Sequence, residues 1–86
     1  MIPIQDVLHR IQWDAEFGRG EFEIGYLDRV AHRICRVRWA QVRLEPGENF
    51  ALEVTQDDGS RHMVPLHRVR AVWRHGELLW HRALTG

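Results

Sequence analysis

Apolar residues recur along this chain with two different periods, and the change of period divides it. Ile4, Val7, Leu8 and Ile11 fall at i, i+3, i+4 and i+7, which is one face of a helix over residues 3–12. Pro3 suits the first helical position, and Asp6 and Arg10 can pair one turn apart on the outer side. So short a helix is marginal alone and needs a sheet to lie on. Two glycines mark residues 13–20 as a loop. From residue 21 the period falls to two. Phe22, Ile24 and Tyr26 alternate with Glu21, Glu23 and Gly25, the pattern of a half-buried strand. Cys35, Val37 and Trp39 alternate with Arg36 and Arg38 in a second strand, which residues 41–44 either extend or follow with another. The Glu-Pro-Gly-Glu-Asn run at residues 45–49 reads as a turn. Phe50, Leu52 and Val54 form the inward side of the next strand, and Asp57, Asp58 and Gly59 turn it back into residues 61–64.

Pro65 places an edge or a bend before the last hairpin, residues 68–74 and 77–82, which turns at His75 and Gly76. A two-residue loop sets the register: Arg74 faces Glu77, Trp73 faces Leu78, Val72 faces Leu79, Ala71 faces Trp80 and Arg70 faces His81. Opposed residues share a face. Val69, Ala71, Trp73, Leu78 and Trp80 then form a core face. Arg68, Arg70, Arg74, Glu77 and His81 surround Val72 and Leu79 on the other. A slip of one residue exchanges the two faces. The pattern predicts an α+β fold. A short N-terminal amphipathic helix packs on a curled, mainly antiparallel sheet of about five or six strands, with closure toward a barrel as one option.

At 86 residues the chain is expected to be one domain, residues 1–86, with a thin core. Hydrophobic residues at 44% and charged residues at 28% are a globular composition. A net charge of zero argues against a protein that coats long nucleic acid, which needs a large positive field. All 12 basic residues are arginine. A GC-rich genome accounts for that bias without any function, but the chemistry holds either way: arginine is a flat, permanently charged fork that grips phosphate through two bonds. Cys35 is the only cysteine, so no intramolecular disulfide forms. No apolar run approaches a membrane span, and no signal-peptide pattern opens the chain. The expected location is cytoplasmic, with no membrane partner.

Candidate chemistry concentrates in residues 65–74. On an even strand Arg68, Arg70 and Arg74 lie on one side, ~7 Å between neighbours two apart, and can track a phosphate and the next one. His67 adds a donor that is partly charged near neutral pH. The competing reading is a solvated face whose arginines pair with Glu77 and other carboxylates. Residues 24–29 are a second candidate. Gly25 permits close approach by a neighbour or a ligand, and Asp28 and Arg29 end the strand. Tyr26 either stacks on a base or fills the core, and its face, shared with Phe22 and Ile24, favours the core. Trp13 is either an exposed stacking platform or packs beneath the helix, the commoner outcome.

Catalytic signals are thin. His32 and Cys35 have a metal-like spacing but lack partners, so no metal and no cofactor is expected. The histidines do not form the His-x-Thr or His-x-Ser repeats of a two-histidine phosphodiesterase. No glycine-rich phosphate loop precedes a helix.

Three blocks, IPIQDVLHRIQWD at residues 2–14, FGRGEFEIGYLDR at 17–29 and VPLHRVRAVWRHGELLW at 64–80, make the chain similar to the RNA cyclic group end recognition domain family. Residues 36–62 match only in strand-like character. The resemblance implies a small, non-catalytic RNA-binding domain of RNA processing or repair, found alone or fused to RNA end-processing enzymes. Its ligand would be an RNA 3′ end carrying a 2′,3′-cyclic phosphate or a related terminus. Ligand-binding roles would fall to Tyr26, Asp28, Arg29, His67, Arg68 and Arg70. Arg74 would support them, His81 would join from the next strand, and Trp13 is an alternative stacking residue. A cyclic phosphate is a diester with one negative charge, whereas the open monoester carries more. Arginines alone favour the open form, so choosing the cyclic end requires shape. Two other readings are opening of the cyclic phosphate by His67 and His81, and a protein-interaction module with Val72 and Leu79 as its apolar floor.

Overall fold

Helix α1, Ile4–Trp13, buries the four residues that its period selects: Ile4, Val7, Leu8 and Ile11. This computed structural model describes residues 3–44 and 50–82, so the turn expected at residues 45–49 lies outside the described residues. Pro3 caps α1, and its fixed φ of −62° suits that position. Arg10 pairs with Asp14 at 3.9 Å and not with Asp6. Asp14 is held for it, because its carboxylate accepts the N–H groups of Glu16 and Phe17, both at 3.1 Å.

Seven strands follow: β1 Phe22–Asp28, β2 Arg33–Arg38, β3 Val42–Arg43, β4 Ala51–Thr55, β5 Arg61–Pro65, β6 Val69–Arg74 and β7 Glu77–His81. A 3-10 turn, Trp39–Gln41, separates β3 from β2, and another, Leu66–Arg68, joins β5 to β6. The strands form two antiparallel sheets, β2-β1-β6-β7 and β3-β4-β5. The fold is therefore α+β, with an N-terminal helix and without a closed barrel. Phe50, expected on the inward side of β4, precedes that strand and is exposed.

The core is organised by one row that crosses the whole first sheet. Ile24 pairs with Val37 on one side and Val72 on the other, and Val72 pairs with Trp80. All four are buried. Leu52, Val54 and Val64 of the second sheet and the apolar face of α1 join the same cluster. Burial of such side chains is the main favourable contribution to folding.

Two bulges, one between β1 and β6 and one in the last hairpin, change the expected faces of β6 and the register of that hairpin. β1 pairs Gly25 with Ala71 but Tyr26 with Val69, which leaves Arg70 as an extra residue. β6 pairs Val72 with Trp80 but Trp73 with Leu78, which leaves Leu79 extra. The expected Arg74–Glu77 and Trp73–Leu78 pairs form, while Ala71 meets His81 and not Trp80. The core face changes accordingly. Val69 and Trp80 point inward as expected, and so does Val72. Trp73 and Leu78 stand on the outer face, where Leu78 is 53% exposed. The proposed apolar floor of Val72 and Leu79 does not exist, because Val72 is sealed in the core and Leu79 lies at the surface. The loop between β6 and β7 is the expected one. His75 and Gly76 both have positive φ, 52° and 81°, as a two-residue hairpin with right-handed twist requires.

This register makes a stability prediction. Val72→Ala should destabilise the domain by roughly 2 kcal/mol, and Leu78→Ala should stay within about 0.5 kcal/mol of the parent. Urea unfolding followed by tryptophan fluorescence measures both. The reverse order would restore the register without bulges.

Candidate functional site

At the end of β1 the chain turns through Asp28. Its Oδ1 accepts the N–H groups of Val30, at 2.8 Å, and Ala31, at 3.0 Å, and its Oδ2 lies 3.6 Å from the Cys35 thiol. The backbone N–H groups of Ala31 and Val30 hold the Asp28 carboxyl below the usual carboxylate range. Burial pushes the Cys35 thiol up, and Asp28 beside it adds to the effect, so the sulfur keeps its proton at neutral pH. The turn carries Arg29 to the surface.

One residue earlier on β1, Tyr26 points into the core and is buried. Its hydroxyl lies 3.2 Å from His62 Nε2 on β5 and receives a hydrogen bond from Gln56 Nε2 at 3.4 Å. Burial raises the phenol, which therefore stays protonated. With Gln56 donating to the oxygen, the phenolic proton can be donated to His62 Nε2 when that nitrogen is unprotonated.

Tyr26, Asp28 and Arg29 from one sheet meet His62 and Met63 from the other, together with Arg68 of the 3-10 turn. They wall a cleft of about 160 Å³. Neither Arg29 nor Arg68 has an ion pair or hydrogen bond among the described residues. The cleft thus offers two uncommitted guanidinium groups, a phenol–imidazole pair and one carboxylate whose Oδ1 is occupied by backbone. Such a site suits a small anion.

Over residues 1–82 the sequence matches the family model described as MJ1316 RNA cyclic group end recognition domain. The chain belongs to this family. No solved structure matches it. The matched span runs from α1 to β7 and includes every wall of the cleft. The family is described as a recognition domain.

In this member of the RNA cyclic group end recognition family, the expected site residues part company. Tyr26, Asp28, Arg29 and Arg68 share the cleft. Arg70 does not lie beside Arg68 on an even strand face, because the bulge turns it inward. It is buried, its Nη1 donates to the carbonyl of His67, and its Nε has no hydrogen-bond partner among the described residues. Arg82 completes the arrangement, donating through Nε to Val69 O at 2.8 Å and through Nη2 to Leu66 O at 2.6 Å. Burial and the nearby charge of Arg70 lower the Arg82 pKa. The two arginines tie down the carbonyls of the turn that carries Arg68. His67 is exposed on that turn.

Arg74 lies at the far end of β6. Its guanidinium is 5.6 Å from the centre of the Phe17 ring and reaches the carbonyl of Arg19 at 3.4 Å. His81 pairs with Ala71, so the Arg70–His81 register that would have brought it to the site does not form. Trp13 is 68% exposed and not packed beneath the helix; its ring lies 6.3 Å from that of His9. His62 and Gln56 are the residues that sequence reasoning missed. Each sits near a hairpin turn, and only the packing of the two sheets brings them to Tyr26. Among the described residues, no group of three or more His, Cys, Asp or Glu stands ready for a metal ion, and no helix is long and apolar enough to cross a membrane.

Two predictions separate positioning from contact. Arg70→Ala should destabilise the fold by about 1–3 kcal/mol in urea unfolding, whereas Arg68→Ala should stay within about 0.5 kcal/mol. Asp28→Ala should lower the unfolding midpoint at neutral pH. A depressed carboxylate stabilises above its unfolded-state pKa of about 3.9 and loses that contribution as pH falls through its folded value. The gap between variant and parent should therefore narrow toward pH 3, as thermal unfolding across pH would show.

Proposed function

We propose that this domain binds the 3′ ends of processed RNA without catalysis, seating a terminal 2′,3′-cyclic phosphate in the cleft between Tyr26, Arg29, His62 and Arg68. The observation that carries the reading is the pair of uncommitted guanidinium groups beside the hydrogen-bonded pair of buried Tyr26 and exposed His62. The cleft volume of about 160 Å³ is below the ~300 Å³ at which whole-ligand pockets begin, so it suits a terminal group and not a complete nucleotide.

Net charge alone does not choose the cyclic form, because Arg29 and Arg68, with Arg33 opposite Asp28 in the strand register, attract the more highly charged monoester as well. The choice falls to shape and to Asp28, whose carboxylate the turn keeps ionised against the second charge of an open monoester. Arg29 and Arg68 supply flat donors to the two free phosphate oxygens, and His62, whose Nε2 accepts from Tyr26, has its Nδ1–H left to donate at the ribose edge. In this reading the domain works in RNA processing or repair, beside enzymes that make or mend such ends.

Fluorescence anisotropy with short RNAs ending in cyclic phosphate, 3′-phosphate or 3′-hydroxyl tests the reading. The cyclic end should bind most tightly, and the Arg29→Ala, Arg68→Ala double variant should lose at least tenfold, about 1.4 kcal/mol. Equal affinity for the three ends would refute end recognition. The cyclic RNA should be recovered unopened after long incubation; opened product would instead establish an enzyme.

A further inference from the structure

The first sheet builds the core through one face, that of Val37, Ile24, Val72 and Trp80. The strand registers assign the residues of its other face. Arg38, Glu23, Trp73 and Leu78 form one row across the four strands, and Arg36, Gly25, Ala71 and His81 form the next. Leu27 and Ile34 follow as a pair on β1 and β2. Leu27, Ile34, Trp73 and Leu78 take no part in the core cluster.

Gly25 gives this outer face a flat surface. A Cβ there would come within 2.7 Å of Trp73 Cη2 and 2.9 Å of Ile34 Cγ2, so the indole reaches across β1 where a side chain would stand. The Arg36 guanidinium lies over the Trp73 ring, 4.0 Å from its centre, and its Nε and Nη2 donate to Glu23 at 3.1 and 2.9 Å. The bidentate pair fixes the plane of the guanidinium, and the Arg36 side chain is still 44% exposed. An unpaired base stacks on either kind of group.

The charge of the two rows suits a polyanion. Glu23 is their one carboxylate, and Arg36 engages it. Arg38 and His81 are exposed at opposite edges of the sheet, and neither has an ion pair among the described residues. Leu27 joins this face to the cleft: it is one of the cleft's lining residues and lies two residues, ~7 Å, along β1 from Gly25. A nucleic-acid strand leaving the cleft past Leu27 comes onto the Trp73–Arg36 surface.

We propose that the outer face of the first sheet binds the single-stranded segment that precedes the RNA terminus, with a base stacked on Trp73 and Arg36 and a backbone phosphate on Arg38. This inference rests on the end-binding reading and extends it from the terminal group to the nucleotides before it.

The test compares a 2′,3′-cyclic mononucleotide with a short single-stranded RNA carrying the same end. The RNA should bind at least tenfold more tightly. Arg36→Lys, which keeps the charge but loses the flat surface, should remove most of that gain and leave mononucleotide affinity within twofold. Arg38→Ala should flatten the slope of log affinity against log salt by about 0.7 for the RNA. The Trp73 indole N–H resonance, assigned by its loss in Trp73→Phe, should shift with the RNA and stay in place with the mononucleotide. Equal affinity for the two ligands, or a Trp73 resonance that the RNA leaves unmoved, would overturn the proposal. Self-association that Leu78→Asp abolishes and RNA does not compete with would overturn it too, by giving the face to a second copy of the chain. Failure of the end-binding reading looks different: cyclic-ended and hydroxyl-ended RNAs would then bind alike, both still shifting Trp73.

Discussion

Arg70 is one residue more than β1 can pair with, and the sheet accommodates it as a bulge. In an even strand, residues 69 and 72 point to opposite faces. With the extra residue between them, both reach the core, and the row from Val37 to Trp80 can close across four strands. The displaced arginine is not wasted on solvent. Its guanidinium enters the backbone of the Leu66–Arg68 turn and, with Arg82, donates to the carbonyls of Leu66, His67 and Val69. The same local irregularity therefore builds the core and fixes the turn from which Arg68 reaches the cleft.

The cleft itself is a product of two sheets that meet without closing. Tyr26 crosses their junction, and its hydroxyl finds partners in His62 on the second sheet and in Gln56 just after β4. Asp28 does two things there. It caps the turn after β1 through two backbone N–H groups, and it keeps a negative charge among the arginines. An ionised carboxylate between two guanidinium groups is the arrangement on which the end-binding proposal rests, in a chain whose family is described as an RNA cyclic group end recognition domain.

Neutral net charge and an arginine-only basic set fit this arrangement better than they fit a protein that follows long nucleic acid. The arginines are dispersed in their tasks. Arg10 and Arg74 lie against the Phe17 ring, Arg36 covers Trp73, and Arg70 and Arg82 fasten a turn. Two others, Arg29 and Arg68, meet in the small cleft where the β1 turn and the Leu66–Arg68 turn approach each other.

The sequence by itself determined the elements: the helical face of Ile4, Val7, Leu8 and Ile11, the alternation of β1, the turn at His75 and Gly76, and the α+β class. These are written in local periodicity and turn chemistry, which act over a few residues. It also singled out Tyr26, Asp28, Arg29 and Arg68, through the resemblance of two blocks far apart in the chain. Tertiary structure alone decided the rest. A bulge arises because two strands must match, and no property of β6 alone announces that Arg70 is the residue to be left over. The same pairing moved Val72 into the core and Trp73 out of it. His62 joined the site because the second sheet packs Tyr26 against β5, a contact spanning 36 residues that no local pattern encodes.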